Sequence, residues 1–447
     1  MMEETTHMQK DFRALLEQLV PDNLLDFLED YAKRDGAFEE ALRVRFEEPE
    51  EQAELARLGG KMDAALESVC RYGQGRWYEP SSVDTSDISF EIEQRLKQGH
   101  VLLAFKALET MYRKLIEVFE EQEECEVADE VEDCLRQMSI VADHAAQPAD
   151  QAYIFDCCIA LADIEDGKDY GADYEDKLLA ISAKFVTPDN LGELEAAIER
   201  YETEWSGEDF ALIRLTMTRR LDGEQAADAF IAAHLKYEKI RTIAYEIALR
   251  RQDLLQAEHL CQDAAGGDLI WLHRLYAVHA LMDDASKMME TARRIALRGD
   301  LEYYDKLKAL LQEHGQWEAA YPALLEDCAR QLPYLKYMEV LHREHEYDLL
   351  FEQIQAHPEE VYTYGAFLAG EYEGGVRSIF YNRIRKEAEK AYGRDAYKIV
   401  CGHIEVFTRA GYAPVAMALI EEFKLLYKRK PAFVDELRKT EKNIALT

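Results

Sequence analysis

Histidine and carboxylate side chains at helical spacing are the first candidates for chemistry in this sequence. His345 and Glu346 follow His342 at intervals of three and four residues, which places side chains on one face of a helix. Imidazole and carboxylate groups on one face can form half of a metal site, but two histidines do not complete one. The pattern differs from the His-Glu-x-x-His motif, and its neighbours are charged. We therefore predict no metal site and no bound cofactor.

A stretch of aromatic and basic side chains is the second candidate. Trp271, His273, Arg274 and Tyr276 occupy a short segment that also contains His279. Such residues can line a binding groove, and they also occur where helical repeats pack together while the polar tips of Trp and Tyr reach solvent. We take the first four as candidate binding residues and leave both interpretations open.

Motifs of known catalytic sites are missing from the sequence. It contains no Gly-x-Ser-x-Gly elbow, no Gly-x-x-x-x-Gly-Lys-Ser/Thr phosphate loop and no dinucleotide-binding glycine pattern. We predict that the protein is not an enzyme. The alternative is an enzyme whose site is assembled from dispersed residues, with His342, His345 and Glu346 among them.

Charge is distributed unevenly along the chain. The 447 residues carry 53 basic and 89 acidic side chains, a net charge of −36. Residues 1–210 hold 20 basic and 52 acidic side chains, for −32, whereas residues 376–447 hold 15 and 9, for +6. The basic end supplies further candidate binding residues in two clusters: Arg383, Arg385 and Lys386, and then Lys428, Arg429 and Lys430.

This distribution predicts the chemistry of a partner. An acidic half attracts a basic protein and repels nucleic acid, whose phosphates need several Lys or Arg contacts. Nucleic acid therefore remains an alternative only through the basic end, or indirectly, if the acidic half mimics DNA towards a DNA-binding protein. The basic end could equally pack on the acidic half or form a solvated helix face.

Membrane insertion and secretion are not expected. The longest apolar stretches, such as Ala229–Ala233 and Cys157–Ala162, are much shorter than the ~18 residues that a membrane span requires. The N-terminus Met1–His7 lacks the basic and apolar segments of a secretory signal. We predict a cytoplasmic protein whose eight cysteines are reduced and mostly buried.

Apolar residues recur at helical spacing along nearly the whole chain, beginning with Phe12, Leu15 and Leu19. Strand-like alternation is rare, so we predict an all-α fold, an α-solenoid-like array of stacked antiparallel helix pairs similar to TPR or HEAT repeats. The predicted divisions are an N-terminal helical element (1–72), a linker loop (73–90), acidic helical repeats (91–210) and helical repeats with a basic C-terminal end (211–447).

One recurring spacing supports the helix pairs. A large apolar residue closes one helix, a polar or turn-forming residue lies four positions later, and a small or apolar residue of the next helix lies four beyond that. The instances are Leu96/His100/Ala104, Leu249/Asp253/Ala257, Leu311/Gly315/Ala319, Leu341/His345/Leu349 and Phe407/Gly411/Val415.

In these patterns the chain resembles the long helical region of bacterial SWIM zinc finger family proteins. The similarity runs through Phe12–Phe46, Ile92–Ala104 and Tyr347–Phe433. The family's finger needs a Cys-x-Cys pair and a Cys-x-His pair, but only Cys401-Gly402-His403 has either shape, within a helical run. The resemblance therefore implies a shared helical architecture, and neither zinc binding nor the finger's contact with DNA or protein is carried over.

Taken together, the sequence predicts a non-enzymatic helical-repeat scaffold or adaptor. Its acidic surface would bind a partner protein, with a basic one favoured by charge, and added salt would weaken the complex.

Overall fold

The computed structural model describes residues 21–36, 38, 39, 42, 43, 49–72, 83–121, 127–164, 174–203, 206–264, 266 and 268–446. Helices and the segments between them account for these residues, and no strand occurs among them, which confirms the all-α prediction. None of the described helices combines length with enough apolar character to cross a membrane. The predicted helix start at Phe12–Leu19, the terminus Met1–His7 and linker residues 73–82 lie outside the described residues.

By their internal contacts the residues fall into two compact units, Met1–Glu246 and Ile247–Thr447, which we call the N-unit and the C-unit. The last boundary expected from the sequence lies earlier, at residue 210. The N-unit contains 26 basic and 57 acidic side chains, a net charge of −31, whereas the C-unit contains 27 and 32, a net charge of −5. The acidic excess is therefore almost entirely a property of the N-unit.

The described part of the N-unit is a succession of helices. They are α1 (Pro21–Ala32), α2 (Glu51–Tyr72), α3 (Ser86–Lys97), α4 (Val101–Glu121), α5 (Ala128–Asp143), α6 (Pro148–Ile164), α7 (Glu175–Ala183), α8 (Leu191–Tyr201), α9 (Gly207–Asp222), α10 (Glu224–Ala233) and α11 (Glu238–Arg250), in which the division between the units falls. Helix α3 begins inside the predicted linker 73–90. Successive helices pack in pairs, as α4 on α5 and α6 on α7, which agrees with the solenoid-like prediction.

The core of the N-unit is mainly aliphatic. Leu108 and Leu115 of α4 and Leu135 and Met138 of α5 are fully buried at spacings that keep each pair on one helix face. Branched and unbranched aliphatic side chains therefore form the contacts between successive helices in this part of the chain.

A buried ion-pair network joins α2 to α3. Arg95 is buried, and its Nε donates a hydrogen bond to Oε1 of Glu54 at 2.9 Å. Arg57 donates to the same carboxylate at 3.0 Å and pairs with Glu91 at 2.5 Å. Burial raises the pKa of Glu54, but the hydrogen bonds from Arg57 and Arg95 outweigh it and hold this pKa below its usual value.

The C-unit continues the helical succession. Its helices are α12 (Leu254–Ala264), α13 (Leu269–Leu281), α14 (Ala285–Ala296), α15 (Leu301–Glu313), α16 (Trp317–Gln331), α17 (Tyr334–Arg343), α18 (Tyr347–Ala356), α19 (Val361–Leu368), α20 (Glu373–Lys390), α21 (Arg394–Phe407), α22 (Ala413–Leu426) and α23 (Pro431–Leu446). A short 3-10 turn (Pro358–Glu360) precedes α19, and a π-helical turn (Thr408–Tyr412) precedes α22.

Aromatic rings fill the centre of the C-unit. Phe380 of α20 is fully buried and stacks on Phe407 of α21, with 5.0 Å between ring centroids. Its ring also lies against Gly365 of α19, where an added Cβ would approach the ring within 2.6 Å. A glycine is thus required at this crossing, because any side chain would displace the ring that anchors three helices.

The recurring spacing marks real turns between helices. In four of its five instances a residue with positive φ ends the helix: Gly99, Gln252, Gly315 and His345. The next residue donates its backbone N–H to the carbonyl five positions back, as in Glu346 to Leu341 at 2.9 Å. This is the Schellman closure, which satisfies carbonyls at a helix end. The fifth instance turns at Gly411, which also has positive φ, and Asp283 forms the same closure where the spacing predicted none.

Candidate functional site

An open groove of about 720 Å³ lies between α3 and α5 in the N-unit. Six of its lining residues are apolar, and we call them its floor: Val83, Phe90, Ile92, Leu96, Ile140 and Val141. Five are acidic, and together with the basic lining residue we call them its rim: Asp84, Glu93, Asp129, Glu130 and Asp133. Arg136 is the one basic residue among the described lining residues. We call this site the acidic groove.

The helical patterns of α3 and α5 explain how the groove forms. Ile88 and Ile92 turn one face of α3 towards the core, which leaves Phe90 and Glu93 on the outward side. In α5, Asp129 and Ile140 likewise stand outside the buried face of that helix. Because α4 packs on both helices, α3 and α5 become neighbours, and their outward residues face a shared space.

Two large apolar side chains are exposed in the groove. Phe90 keeps 58% of its surface accessible and Ile140 keeps 44%. Single exposed apolar residues are common on proteins, but here two of them share one concavity with four further apolar lining residues. Such a floor provides apolar area that a partner side chain could remove from water.

The polar side chains of the groove are partly fixed by one another. Gln137 of α5 donates hydrogen bonds to Ser89 of α3 at 3.0 Å and to Asp133 at 2.9 Å, which ties the two helices together. Arg136 pairs with Asp133, and its guanidinium lowers the pKa of that carboxyl. The one basic residue among the described lining residues is thus already engaged, so the described lining carries a net negative charge.

Carboxylates of α5 outside the groove are paired with the next helix pair. Lys177 binds Glu132 at 2.5 Å, and Lys184 binds Asp143 at 2.6 Å. These lysines reduce the charge beyond the groove. Among the described residues, Glu93 pairs with Lys97 of its own helix at 2.7 Å, and Asp129 forms no ion pair. The groove therefore keeps its negative potential.

The predicted aromatic stretch lies on α13 in the C-unit. Trp271 is buried, and the guanidinium of Arg274 lies over its ring at 4.4 Å. His273 stacks on Tyr303 of α15 at 4.7 Å, and Tyr276 meets the same ring edge-on at 5.0 Å. The stretch therefore packs between helices, which agrees with the repeat-contact interpretation, and only its half-buried ring edges are accessible.

The two predicted basic clusters are partly used inside the C-unit. Arg385 pairs with Glu422 at 2.9 Å, and Arg383 lies 3.3 Å from Glu387. Lys430 donates to the backbone carbonyl of Ala391 at 3.2 Å. The remaining predicted residues are exposed and form no ion pair with a described residue: Lys386, Lys428 and Arg429.

The predicted helix face of His342, His345 and Glu346 is wrong. Helix α17 ends at Arg343, and His345 occupies the turn with a φ of 60°, so the three side chains do not share a helical face. His345 Nδ1 lies 2.8 Å from the hydroxyl of Tyr347, and Glu346 accepts a hydrogen bond from Tyr321. Among the described residues no group of His, Cys, Asp or Glu is arranged to hold a metal ion.

Cys401 and His403 lie in α21, as expected from the helical run. Cys401 is buried, and burial raises the pKa of its thiol to about 11. His403 stacks on Tyr362 at 3.8 Å, and its Nδ1 lies 2.6 Å from Glu387. Both side chains are therefore engaged in packing and hydrogen bonding within the C-unit.

A hydroxyl, an imidazole and a carboxylate form a buried chain that the sequence did not indicate. Oγ1 of Thr291 lies 3.0 Å from Nδ1 of His279, whose Nε2 lies 3.1 Å from Oε1 of Glu258. This order of groups resembles a nucleophilic triad. Thr291 is 2% exposed, however, so a substrate cannot reach its hydroxyl, and the chain acts as a satisfied polar link between α12, α13 and α14.

No protein-family model matches the sequence, and no curated protein matches it either. The resemblance to the helical region of SWIM zinc finger family proteins therefore stays a prediction.

Proposed function

We propose that the protein is a non-enzymatic scaffold or adaptor that binds a basic segment of a partner protein in the acidic groove. The observation that carries this proposal is the exposure of Phe90 and Ile140 on the floor of a groove whose rim is almost wholly acidic. An apolar floor inside a charged rim is the arrangement that amphipathic helical ligands use.

The expected ligand follows from that arrangement. Its apolar side chains, repeating every three or four residues, would cover Phe90 and Ile140, while its Lys or Arg residues would pair with Glu93 and Asp129. The net charge of −31 on the N-unit would speed the encounter at low salt, and the apolar contact would govern the lifetime of the complex.

A second groove of the N-unit is less suited to a basic amphipathic ligand than the acidic groove. It measures about 290 Å³, and its lining includes Glu195, Glu199 and Arg214. Arg214 forms two hydrogen bonds to Glu202, at 2.8 and 2.7 Å. This smaller site is closer to charge balance and lacks large exposed apolar side chains such as those in the acidic groove, so it offers less to a basic amphipathic ligand.

Two further expectations belong to the same proposal. The helical repeats would be related to those of the SWIM zinc finger family, and the protein would work in the cytoplasm without a cofactor. Both rest on the sequence patterns described above.

Fluorescence anisotropy tests the proposal with a labelled amphipathic peptide of lysine and leucine. We expect the wild-type protein to bind it, and Phe90→Ser with Ile140→Ser to weaken binding at least about tenfold, because both apolar anchors are lost. Glu93→Gln with Asp129→Asn should weaken binding about threefold to tenfold and reduce its dependence on salt.

Matched controls keep the test specific. Leu25→Ser changes an apolar residue of the N-unit that is 63% exposed and not part of the groove lining, and it should leave the affinity unchanged. Glu224→Gln with Asp222→Asn removes two negative charges outside the acidic groove, as a control for Glu93→Gln with Asp129→Asn, and should also leave the affinity unchanged. Equal losses in control and groove variants, or binding by the groove variants at wild-type affinity, would refute the proposed site.

A further inference from the structure

The turn between α22 and α23 presents cations and apolar side chains together. Lys428 and Arg429 are exposed in this turn, and neither forms an ion pair with a described residue. Leu425 and Leu426, at the end of α22, keep 75% and 57% of their surfaces accessible. The exposed leucines provide apolar area that a partner could remove from water, and the adjacent cations could pair with its carboxylates.

A neighbouring turn extends this surface. Lys430 Nζ donates a hydrogen bond to the carbonyl of Ala391 at 3.2 Å, which holds the turn between α20 and α21 beside that between α22 and α23. Its ammonium also lies 4.9 Å from the ring of Tyr427. Tyr392 stands in the first of these turns with 91% of its surface exposed. We call Tyr392, Leu425, Leu426, Lys428 and Arg429 the basic tip.

The basic tip differs from the other predicted basic residues. Arg383 and Arg385 are paired with carboxylates of the C-unit, and Lys430 is held by a backbone carbonyl. Lys428 and Arg429 are exposed, form no ion pair with a described residue and follow the exposed Leu425 and Leu426 closely in the chain. The tip thus combines exposed apolar side chains with exposed cations, which are the two properties that the acidic groove requires of a ligand.

We propose that the basic tip of one molecule docks into the acidic groove of a second copy of this chain. This inference rests on the proposed function and names the partner: leucines and a tyrosine would cover Phe90 and Ile140, and Lys428 and Arg429 would meet Glu93 and Asp129. Charge and apolar character match on both surfaces, and the chain carries one of each.

The geometry of such a contact has a consequence for assembly. Tip and groove are different surfaces, so a single contact between two copies leaves one tip and one groove free. These can pair with each other and close a dimer, or they can bind further copies and extend the assembly. The contact depends on charge, so salt would reverse it.

Sedimentation velocity of the full chain over a range of concentrations tests the proposal. At about 50 mM NaCl we expect the mean sedimentation coefficient to rise with concentration, and at about 500 mM NaCl the monomer should predominate. Lys428→Glu with Arg429→Glu, or Glu93→Lys with Asp129→Lys, should weaken self-association at least about tenfold. A mixture of these two charge-reversed proteins should form a complex, because one intact tip and one intact groove remain.

A matched control is available in the same unit. Arg377→Glu with Arg409→Glu makes the same change in charge at exposed residues outside the tip and should self-associate like the wild type. A wild type that stays monomeric at every concentration, or a control that weakens association equally, would overturn the proposal. Binding of a labelled DNA duplex that requires Lys428 and Arg429, without self-association, would overturn it in favour of a nucleic-acid site.

The outcome also separates this inference from the proposed function. If the chain stays monomeric but the basic peptide still binds the groove, the partner is another protein and the proposed function stands. If neither self-association nor peptide binding occurs, both proposals fail.

Discussion

The N-unit and the C-unit share one type of turn between helices but differ in the packing of their cores and in their net charge. Schellman closures end helices at Gly99 in the first unit and at Gly315 in the second. Both cores contain buried rings among aliphatic side chains, but in the C-unit buried rings stack on one another, as Phe380 does on Phe407. The N-unit carries a net charge of −31 and the C-unit −5. The same Schellman turn thus occurs in two units whose cores and surface charges differ.

This difference shows which residues specify architecture and which remain available for recognition. A Schellman closure needs only a residue that tolerates positive φ and apolar residues in the two helices that it joins. Most other positions can therefore vary. The N-unit uses that freedom for acidic side chains around a groove. The C-unit uses it for buried rings that stack on one another, as Phe380 does on Phe407.

The largest expected effect comes from removing a ring of the C-unit. Phe380→Ala should lower the free energy of unfolding of that unit by about 3 to 5 kcal/mol, because the side chain is fully buried among rings. Hydrogen exchange under mild denaturant would report it, with faster exchange in the C-unit only. Leu135→Ala is the counterpart in the N-unit, with about 2 to 5 kcal/mol expected there. Exchange that changes in both units for either variant would contradict the division.

The next effect concerns the buried ion pair of the N-unit. Arg95→Met should cost about 3 kcal/mol or more, because it removes a hydrogen-bonded partner of the buried carboxylate of Glu54. The matched control is Arg113→Met, which breaks the exposed pair with Glu109 and should cost less than about 1 kcal/mol. Urea unfolding measures both. Equal costs would show that burial does not strengthen the network.

A smaller effect should appear on acidification. The pKa of Glu54 is lowered in the folded protein, so its contribution to stability is present above the unfolded-state pKa and is lost as the pH falls through the folded-state value. Urea midpoints measured from about pH 7 to about pH 3 should therefore fall. Glu54→Gln should flatten the decline in the N-unit. An unchanged slope in this variant would rule out Glu54 as a cause.

The smallest effect tests the shared turns. Gln252 adopts a φ of 58° without the freedom of glycine, so Gln252→Gly should stabilise the fold by about 1 kcal/mol. Gly315→Ala, at the corresponding place in another closure, should destabilise it by a similar amount of about 1 kcal/mol. Thermal unfolding compares the two. Changes of the same sign would contradict the idea that these turns share one geometry.

Much of the fold could be predicted from the sequence because the turn signal is local. Leu311/Gly315/Ala319 marks a helix end, a turn and the next helix within a few residues, and the structure places the turn at Gly315. The same signal at Leu341/His345/Leu349 indicated a turn, and the structure places one at His345. The predicted helix face of His342, His345 and Glu346 is incompatible with that turn, because the helix ends before His345.

The acidic groove could not be predicted because it depends on the pairing of distant helices. Phe90 and Ile140 are far apart in sequence and meet one groove only because α4 packs against both α3 and α5. One local signal was available, since Phe90 lies between Ile88 and Ile92 on the outward side of α3. Trp271, in contrast, is buried, as the repeat-contact interpretation of its stretch allowed.

Hydrogen exchange of the full-length protein, with and without the lysine and leucine peptide, tests the central claim most directly. We predict that the peptide slows exchange in residues 83–96 and 129–141, on the two sides of the acidic groove, and that Phe90→Ser with Ile140→Ser abolishes this protection. Protection confined to other segments, or protection that persists in the double variant, would contradict the assignment of the groove as the binding site.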